Sequence, residues 1–279
     1  MPDPLTDAIR FGESPRWHDG RLWFSDVHDY KLKTLDLDGT LRTVARAPGR
    51  PAGLGFMPDG RGLLATALDQ KLWWVSGRGE LTLAVDLAGI AEGPLNDMVV
   101  DGRGRAYVGD VGFNMAAGES PKPGQVILFT PDGGARVVAQ KVMFPNGCAV
   151  SADGARYLVA ETFADHVSEF AIADHGLLGD RKVFAELDSP PDGLCLDADG
   201  GVWVAQPLSG RYLHLDAVGA IDRELPSAAP FAVTCVLGGP ARTTLFMSSA
   251  DTDLERLGSG DTTGRIDAVE VAVPGAGWP

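Results

Sequence analysis

Short apolar runs such as LWF, LLAT, AYVG, YLVA and VWVA recur along this chain, each following a turn that reads HDG, MPDG, DGRG, SADG or DADG. Apolar, β-branched and aromatic residues bounded by Asp-Gly turns predict a strand, a tight turn and a second strand. The unit repeats six times, and one slot in it holds Glu13, Ala52, Asn96, Asn146, Asp192 and Thr234. Four residues after the slot stands Trp17, Phe56, Val100, Val150 or Leu196, with Gly238 as the exception. The slot-to-slot intervals are 39, 44, 50, 46 and 42 residues, within the roughly 40 to 50 residues of a four-stranded propeller blade. The third unit supplies NDMVVD, RAYVGD, GQVILFT and ARVVAQ as its strands, and no long segment follows a helical period. The pattern predicts an all-β chain folded as a six-bladed β-propeller, in which equivalent slots face a common axis.

Length alone permits two domains at roughly 150 residues each, but the repeat runs through the middle without a linker. One domain covering 1–279 is expected. The stretches DAIRF and GRIDAVEVAV, near opposite ends of the chain, are expected to pair in the last blade and close the ring, which removes exposed strand edges. Neighbouring strand residues face opposite sides, so of Trp73 and Trp74 one is expected in the core and the other exposed or at a blade interface.

The net charge of -14 and a pI near 4.7 argue against a nucleic-acid partner, which needs a basic footprint. No run approaches the eighteen or so apolar residues of a membrane span, and the start MPDPLTDAIR has neither the basic nor the apolar region of an export signal. A cytoplasmic location is the expectation, with a small molecule as partner and the oligomeric state open. Cys148, Cys195 and Cys235 are an odd set in a mid-sized chain, so they read as buried thiols rather than a disulfide framework.

Glu13, Asn146 and Asp192 offer two carboxylates and an amide oxygen, with Asn96 as a second amide. Asn or Asp before Gly, as in Asn146-Gly147 and Asp192-Gly193, is by itself a turn signal. Shared phase changes that reading. Oxygen donors crowded into a low-dielectric channel are costly unless a cation compensates them, and such donors suit one hard divalent ion. Ca²⁺ comes first, with Mg²⁺, Mn²⁺ or Zn²⁺ as alternatives.

In the stretches FGESPRWHDGRLWFSDV, GPLNDMVVDGRGRAYVGD, MFPNGCAVSADG and SPPDGLCLDADGGVWVA, in order and at blade spacing, the sequence resembles the SMP-30/gluconolactonase/LRE-like family over essentially its whole length. The resemblance implies that Glu13, Asn146 and Asp192 bind one divalent metal and that Asn96 faces the substrate or the water on the metal. It also implies lactone hydrolysis, since a metal with open positions polarises a carbonyl and lowers the pKa of bound water. Asp192 is the candidate general base as well as a ligand, and Asn96 shares the catalytic role.

The match has gaps. Sugar-lactone hydrolases of this family commonly carry an arginine two positions before the asparagine of the N-D pair, where this chain has Pro94, followed by Leu95. A loop carboxylate after the next strand is replaced in VGDVGFN by Asn114, beside Phe113. Leu95, Phe113 and Asn114 are therefore expected to line the pocket with Asn96, and the lactone to be less hydroxylated than a sugar lactone. Some relatives place substrate contacts in the stretch AETFADHVSEF, which makes Glu161, Phe163 and above all His166 further candidates. His18 reads as structural, and SSADTDLERLGSGD as a solvated loop. Two other functions compete: a phosphotriesterase or lyase on the same metal, or a non-catalytic binding scaffold.

Overall fold

A computed structural model of the chain describes residues 2–277. Six four-stranded antiparallel sheets follow one another along the chain. Their first strands are Gly12–His18, Pro51–Phe56, Leu95–Val100, Pro145–Val150, Leu194–Leu196 and Phe231–Gly238. Each first strand touches the first strand of the next sheet, and the sixth returns to touch the first. Six sheets ringed in this way are a six-bladed β-propeller with the first strands around the axis.

The ring closes as the sequence predicts. Asp3–Ile9 supplies the outermost strand of the last blade and pairs antiparallel with Thr263–Glu270, matching Asp3 with Ala268 and Ile9 with Gly264. Both ends of the chain thus hold one sheet together, and no blade is left half built.

Alternation along the strands distributes the apolar core among the blade seams. Met98 and Val100 pack with Leu63 and Leu72 between the second and third blades, while Val99 turns the other way to Tyr157 and Val159 of the fourth. This explains the apolar runs without polar gaps: both faces of the inner strands are buried. Trp73 and Trp74 divide likewise, but both are half-buried at seams, so neither is fully core or fully exposed. Trp73 donates Nε1 to Thr66 Oγ1 at 3.0 Å, and Trp74 packs against Phe129 under the Arg61 guanidinium. His18 is structural, stacked on Phe56 at 3.8 Å. The three cysteines are buried and free. The acidic stretch of the last blade contains a short helix, Leu254–Ser259, where a solvated loop was expected. Asp253 caps its first backbone amides and Gly260, at φ 74°, ends it.

A buried polar residue closes the second strand of several blades and ties down the neighbouring loops. Asp26 accepts from the backbone of Phe11 at 2.9 Å and from Lys33 Nζ at 2.7 Å. Asp110 accepts from the amides of Glu92, Gly93 and Gly112 and from Gln125 Nε2. These carboxylates stand in for the backbone acceptors that loops lack.

The fifth blade holds a pH-sensitive clamp away from the slots. His214 reaches Asp222 Oδ1 through Nδ1 at 2.6 Å and Asp197 Oδ2 through Nε2 at 2.8 Å. The hydrogen bond to Asp197 is the main reason its pKa is raised above the ordinary 6.5. Burial pulls Asp197 upward, but the His214 bond and the Gly201 amide more than offset it and hold it below its ordinary value. A raised histidine stabilises the fold fully below about pH 6.5 and loses that contribution as pH rises through its folded pKa. The lowered aspartate acts at the other end and loses its contribution in acid, below its ordinary 3.8. The stability advantage of the wild type over His214→Gln should therefore be larger at pH 6 than at pH 9. Thermal unfolding of both proteins at the two pH values checks this, and an advantage that grows with pH would refute the clamp.

Candidate metal centre and substrate mouth

In the first four blades the slot end of the inner strand carries a β-bulge. Three steps of the inner strand face two of its neighbour between Glu13 and Arg16, Pro51 and Leu54, Leu95 and Met98, and Pro145 and Cys148. An extra residue bends the strand and re-aims the side chains beside it, which is why bulges gather at functional sites. In the first blade the bulge residue Ser14 takes a left-handed φ of 48°. The sixth blade differs in phase. Cys235 and Leu237 pack toward the fifth blade as Met98 and Val100 pack toward the second, so the counterpart of the slot is Val233, one residue before Thr234. That shift accounts for Gly238 as the exception.

Four slots are wired to one another. Asn96 Nδ2 donates to Pro145 O at 3.1 Å, the Gly147 amide to Asp192 O at 3.2 Å, and the Gly193 amide to Val233 O at 3.0 Å. Asn146 Nδ2 donates to Thr162 Oγ1, which donates in turn to Pro191 O. The glycines after Asn146 and Asp192 belong to these close approaches and not to turns. A Cβ on Gly147 would lie 2.4 Å from Leu194 N, and one on Gly193 would lie 1.9 Å from Thr234 Oγ1.

Charge is concentrated at this place. Glu13 is raised well above the ordinary carboxylate range, first by burial and then by the negative charges of Asp192 and Asp97; Arg50 and the Ser14 amide oppose the rise. Asp192 is pushed up to about 8, by burial and then by Asp97, with a hydrogen bond from Asn146 opposing. Asp192 Oδ1 is buried and has no hydrogen-bond partner. An orphaned carboxylate oxygen beside a second destabilised carboxylate, with two tethered amides nearby, is a donor set that a hard cation fits. The set holds only two carboxylates, and among the described residues no cluster of three His, Cys, Asp or Glu side chains forms a metal site. Amide oxygens would have to complete the coordination.

Beneath the slots, Arg16 and Asp97 form a buried ion pair between the first and third blades. Arg16 Nη2 donates to Asp97 Oδ1 at 3.0 Å and to Met98 O at 2.5 Å, and Ser14 Oγ donates to the same carboxylate oxygen at 2.6 Å. No short sequence pattern marks this pair, because its members lie in different units.

The expected mouth residues fare unevenly. Leu95 is 1% exposed and packed in the second–third seam, so it has no surface to offer a substrate. Phe113, also 1% exposed, lies under Phe144 and Phe163 at ring distances of 5.9 and 5.7 Å. Asn114 caps a short 3-10 turn, accepting from the Ala117 amide. His166 lies against Glu161 at 3.2 Å. Glu161 is fully buried and occupied by the Met143 amide, Ser168 Oγ and Arg181. These residues support the loops over the site, while Phe163 reaches solvent. One candidate was missed: Arg50, two residues before the Ala52 slot, has its Nε buried without a partner, and its charge reaches Glu13. An arginine two places before a slot in the second blade was the available signal.

A family model described as the SMP-30/Gluconolactonase/LRE-like region matches residues 11–251. The chain is 26% identical over 287 residues to the pentonolactonase XacC of Haloferax volcanii, covering 96% of this chain and 93% of that protein. It is 27% identical over 294 residues to a 6-deoxy-6-sulfogluconolactonase of Pseudomonas putida, covering 100% and 99%. A solved structure of a calcium-binding regucalcin from Agrobacterium tumefaciens superposes with a TM-score of 0.85 at 21% identity, over 100% of this chain and 96% of that one. Among the described residues no helix is long and apolar enough to cross a membrane.

Proposed function

The chain belongs to the SMP-30/gluconolactonase/LRE-like family, and from that premise we propose that it is a divalent-metal-dependent lactonase whose ring, 1–279, works as one domain. The observation that carries the reading is the buried, unpartnered Asp192 Oδ1 next to the destabilised Glu13. A binding scaffold has no use for such a cost. Glu13, Asn146 and Asp192 would hold the ion, with Ca²⁺ as first choice for an all-oxygen set. When bound, it supplies Lewis acidity for the lactone carbonyl and for the attacking water.

The remaining steps fall to the chain's own groups. Asp192 accepts a proton from the water as its oxygen bonds to the carbonyl carbon. The acyl–oxygen bond of the ring then breaks, and that proton goes to the departing ring oxygen, leaving a hydroxy acid. Asn96, its Nδ2 held by Pro145 O, keeps the amide plane fixed and orients substrate or water. Arg50 is available for one polar substituent.

The lactone of this reading is less hydroxylated than a sugar lactone. Pro94 provides no side-chain donor where sugar-lactone hydrolases carry arginine. Arg50 alone does not satisfy several hydroxyls, and each one desolvated without a partner costs about 1 to 3 kcal/mol. On Ca²⁺-loaded enzyme, kcat/KM for δ-gluconolactone should fall at least about tenfold below that for δ-valerolactone. A preference for gluconolactone would remove the specificity reading and leave the metal chemistry standing.

A further inference from the structure

Large apolar side chains exposed to solvent are distributed around the mouth with a regularity the core does not require. Among the described residues each blade exposes one in the loop between its second and third strands: Tyr30, Leu68, Met115, Phe163, Leu208 and Leu254. These loops lie at the slot end. The Val27, Ala67, Val111 and Thr162 amides donate to the carbonyls of Phe11, Arg50, Pro94 and Phe144, each two residues before a slot. Leu68, Phe163 and Leu208 occupy one position, two residues after the end of the second strand. Isolated exposed hydrophobics need no explanation, but one in the same loop of every blade, around one opening, does.

The third–fourth seam is where this apolar surface joins the candidate centre. Phe163, 42% exposed, stacks on Phe144 at 4.9 Å. Phe144 stands two residues before Asn146, and Thr162, beside Phe163, holds the Asn146 amide. Met115, 54% exposed, follows two residues after Phe113, which forms the floor beneath both rings. Polarity lies to one side of this surface, on the neighbouring second blade, where Arg50 Nε and Asp69 Oδ1 are buried without partners. The mouth is therefore two-sided.

We infer that Phe144, Phe163 and Met115 form a shelf that receives a hydrocarbon arm on the lactone ring, so that the substrate class is an alkyl- or aryl-substituted lactone. This rests on the lactonase reading for the ring and adds the binding surface for its substituent. Arg50, with its Nε unpartnered, would take a polar group on the second-blade side. A shelf continuous with the reacting centre suits one small amphiphile better than a macromolecule, since only the arm that enters with the ring meets both sides.

The test uses δ-valerolactones bearing methyl, propyl and hexyl chains on the ring carbon next to the ring oxygen, with full-length Ca²⁺-loaded wild type and the double variant Met115→Ser/Phe163→Ser. Each fully buried methylene is worth roughly a fourfold gain. The wild-type ratio of kcat/KM for hexyl over methyl should then exceed about thirtyfold, and the variant should lose most of that ratio. Calorimetric binding of the matching 2-alkyltetrahydropyrans, which cannot be hydrolysed, gives a second reading, and the same chain-length dependence is expected there. A flat series in both assays overturns the shelf while leaving hydrolysis of the parent ring intact. Failure to hydrolyse any lactone, with chain-length-dependent binding retained, removes the lactonase reading and keeps the shelf. A self-associated wild type that the double variant converts to monomer, with no chain-length dependence, would assign the surface to a second copy of this chain and overturn the proposal.

Discussion

Asp192→Ala should abolish tight metal binding and lower kcat/KM by about 10² to 10⁴-fold, because it removes a charged ligand and the candidate general base in one step. Glu13→Ala should lose metal to a similar degree. The fold should survive both changes, since neither side chain contributes to the apolar seams, which are built from residues such as Met98, Val108, Tyr157 and Val204. In the metal-free protein either variant should be as stable as the wild type or more so, because burial and mutual repulsion already destabilise the two carboxylates. Asn146→Ala should show a weaker loss of metal, as an amide brings no charge. Elemental analysis after dialysis against Ca²⁺, together with thermal unfolding in chelator, measures both effects. Full metal occupancy in Asp192→Ala or Glu13→Ala would refute the ligand set.

The largest stability effect is expected below the slots. Arg16→Met leaves Asp97 buried with only the Ser14 hydroxyl and the Met98 amide as donors, and breaking a buried pair on one side typically costs about 3–5 kcal/mol. Replacing both members is expected to recover most of that loss, since the penalty lies in the stranded charge and not in a missing attraction. Arg16→Met/Asp97→Leu should therefore unfold at higher urea than Arg16→Met alone. A loss below about 1 kcal/mol in the single variant, against the cost expected for an uncompensated buried charge, would show that water reaches Asp97 freely. The pair joins the first and third blades across the channel, so its removal should also loosen the setting of Glu13 against Asn96.

Strand positions, turn positions and the sixfold repeat follow from local chemistry, which the sequence displays directly. Apolar runs and Asp-Gly turns specify strands, and spacing at blade length implies a ring on which Glu13, Asn96, Asn146 and Asp192 share one phase. Pairing of the two chain ends was legible for the same reason: both stretches alternate as strands and neither has a blade of its own. The identity of the mouth residues was not legible. Leu95 was expected to face a substrate and instead packs in a seam, because a bulge sets its side and bulges leave no local mark. Phe113 is covered by Phe144 and Phe163 from the next blade, and Asn114 spends its side chain on a cap. Gly147 and Gly193 resembled turn residues, and the reason for them is the approach of a neighbouring inner strand. The Arg50 charge acts on Glu13, and Arg16 reaches Asp97, across unit boundaries that no short pattern spans. The sequence by itself determined the repeating unit and the phase of its polar slots, since both depend on contacts within some fifty residues. Ring closure decided everything that depends on two blades at once: which polar groups are left unpaired, which side chains are covered, and where apolar surface meets the opening.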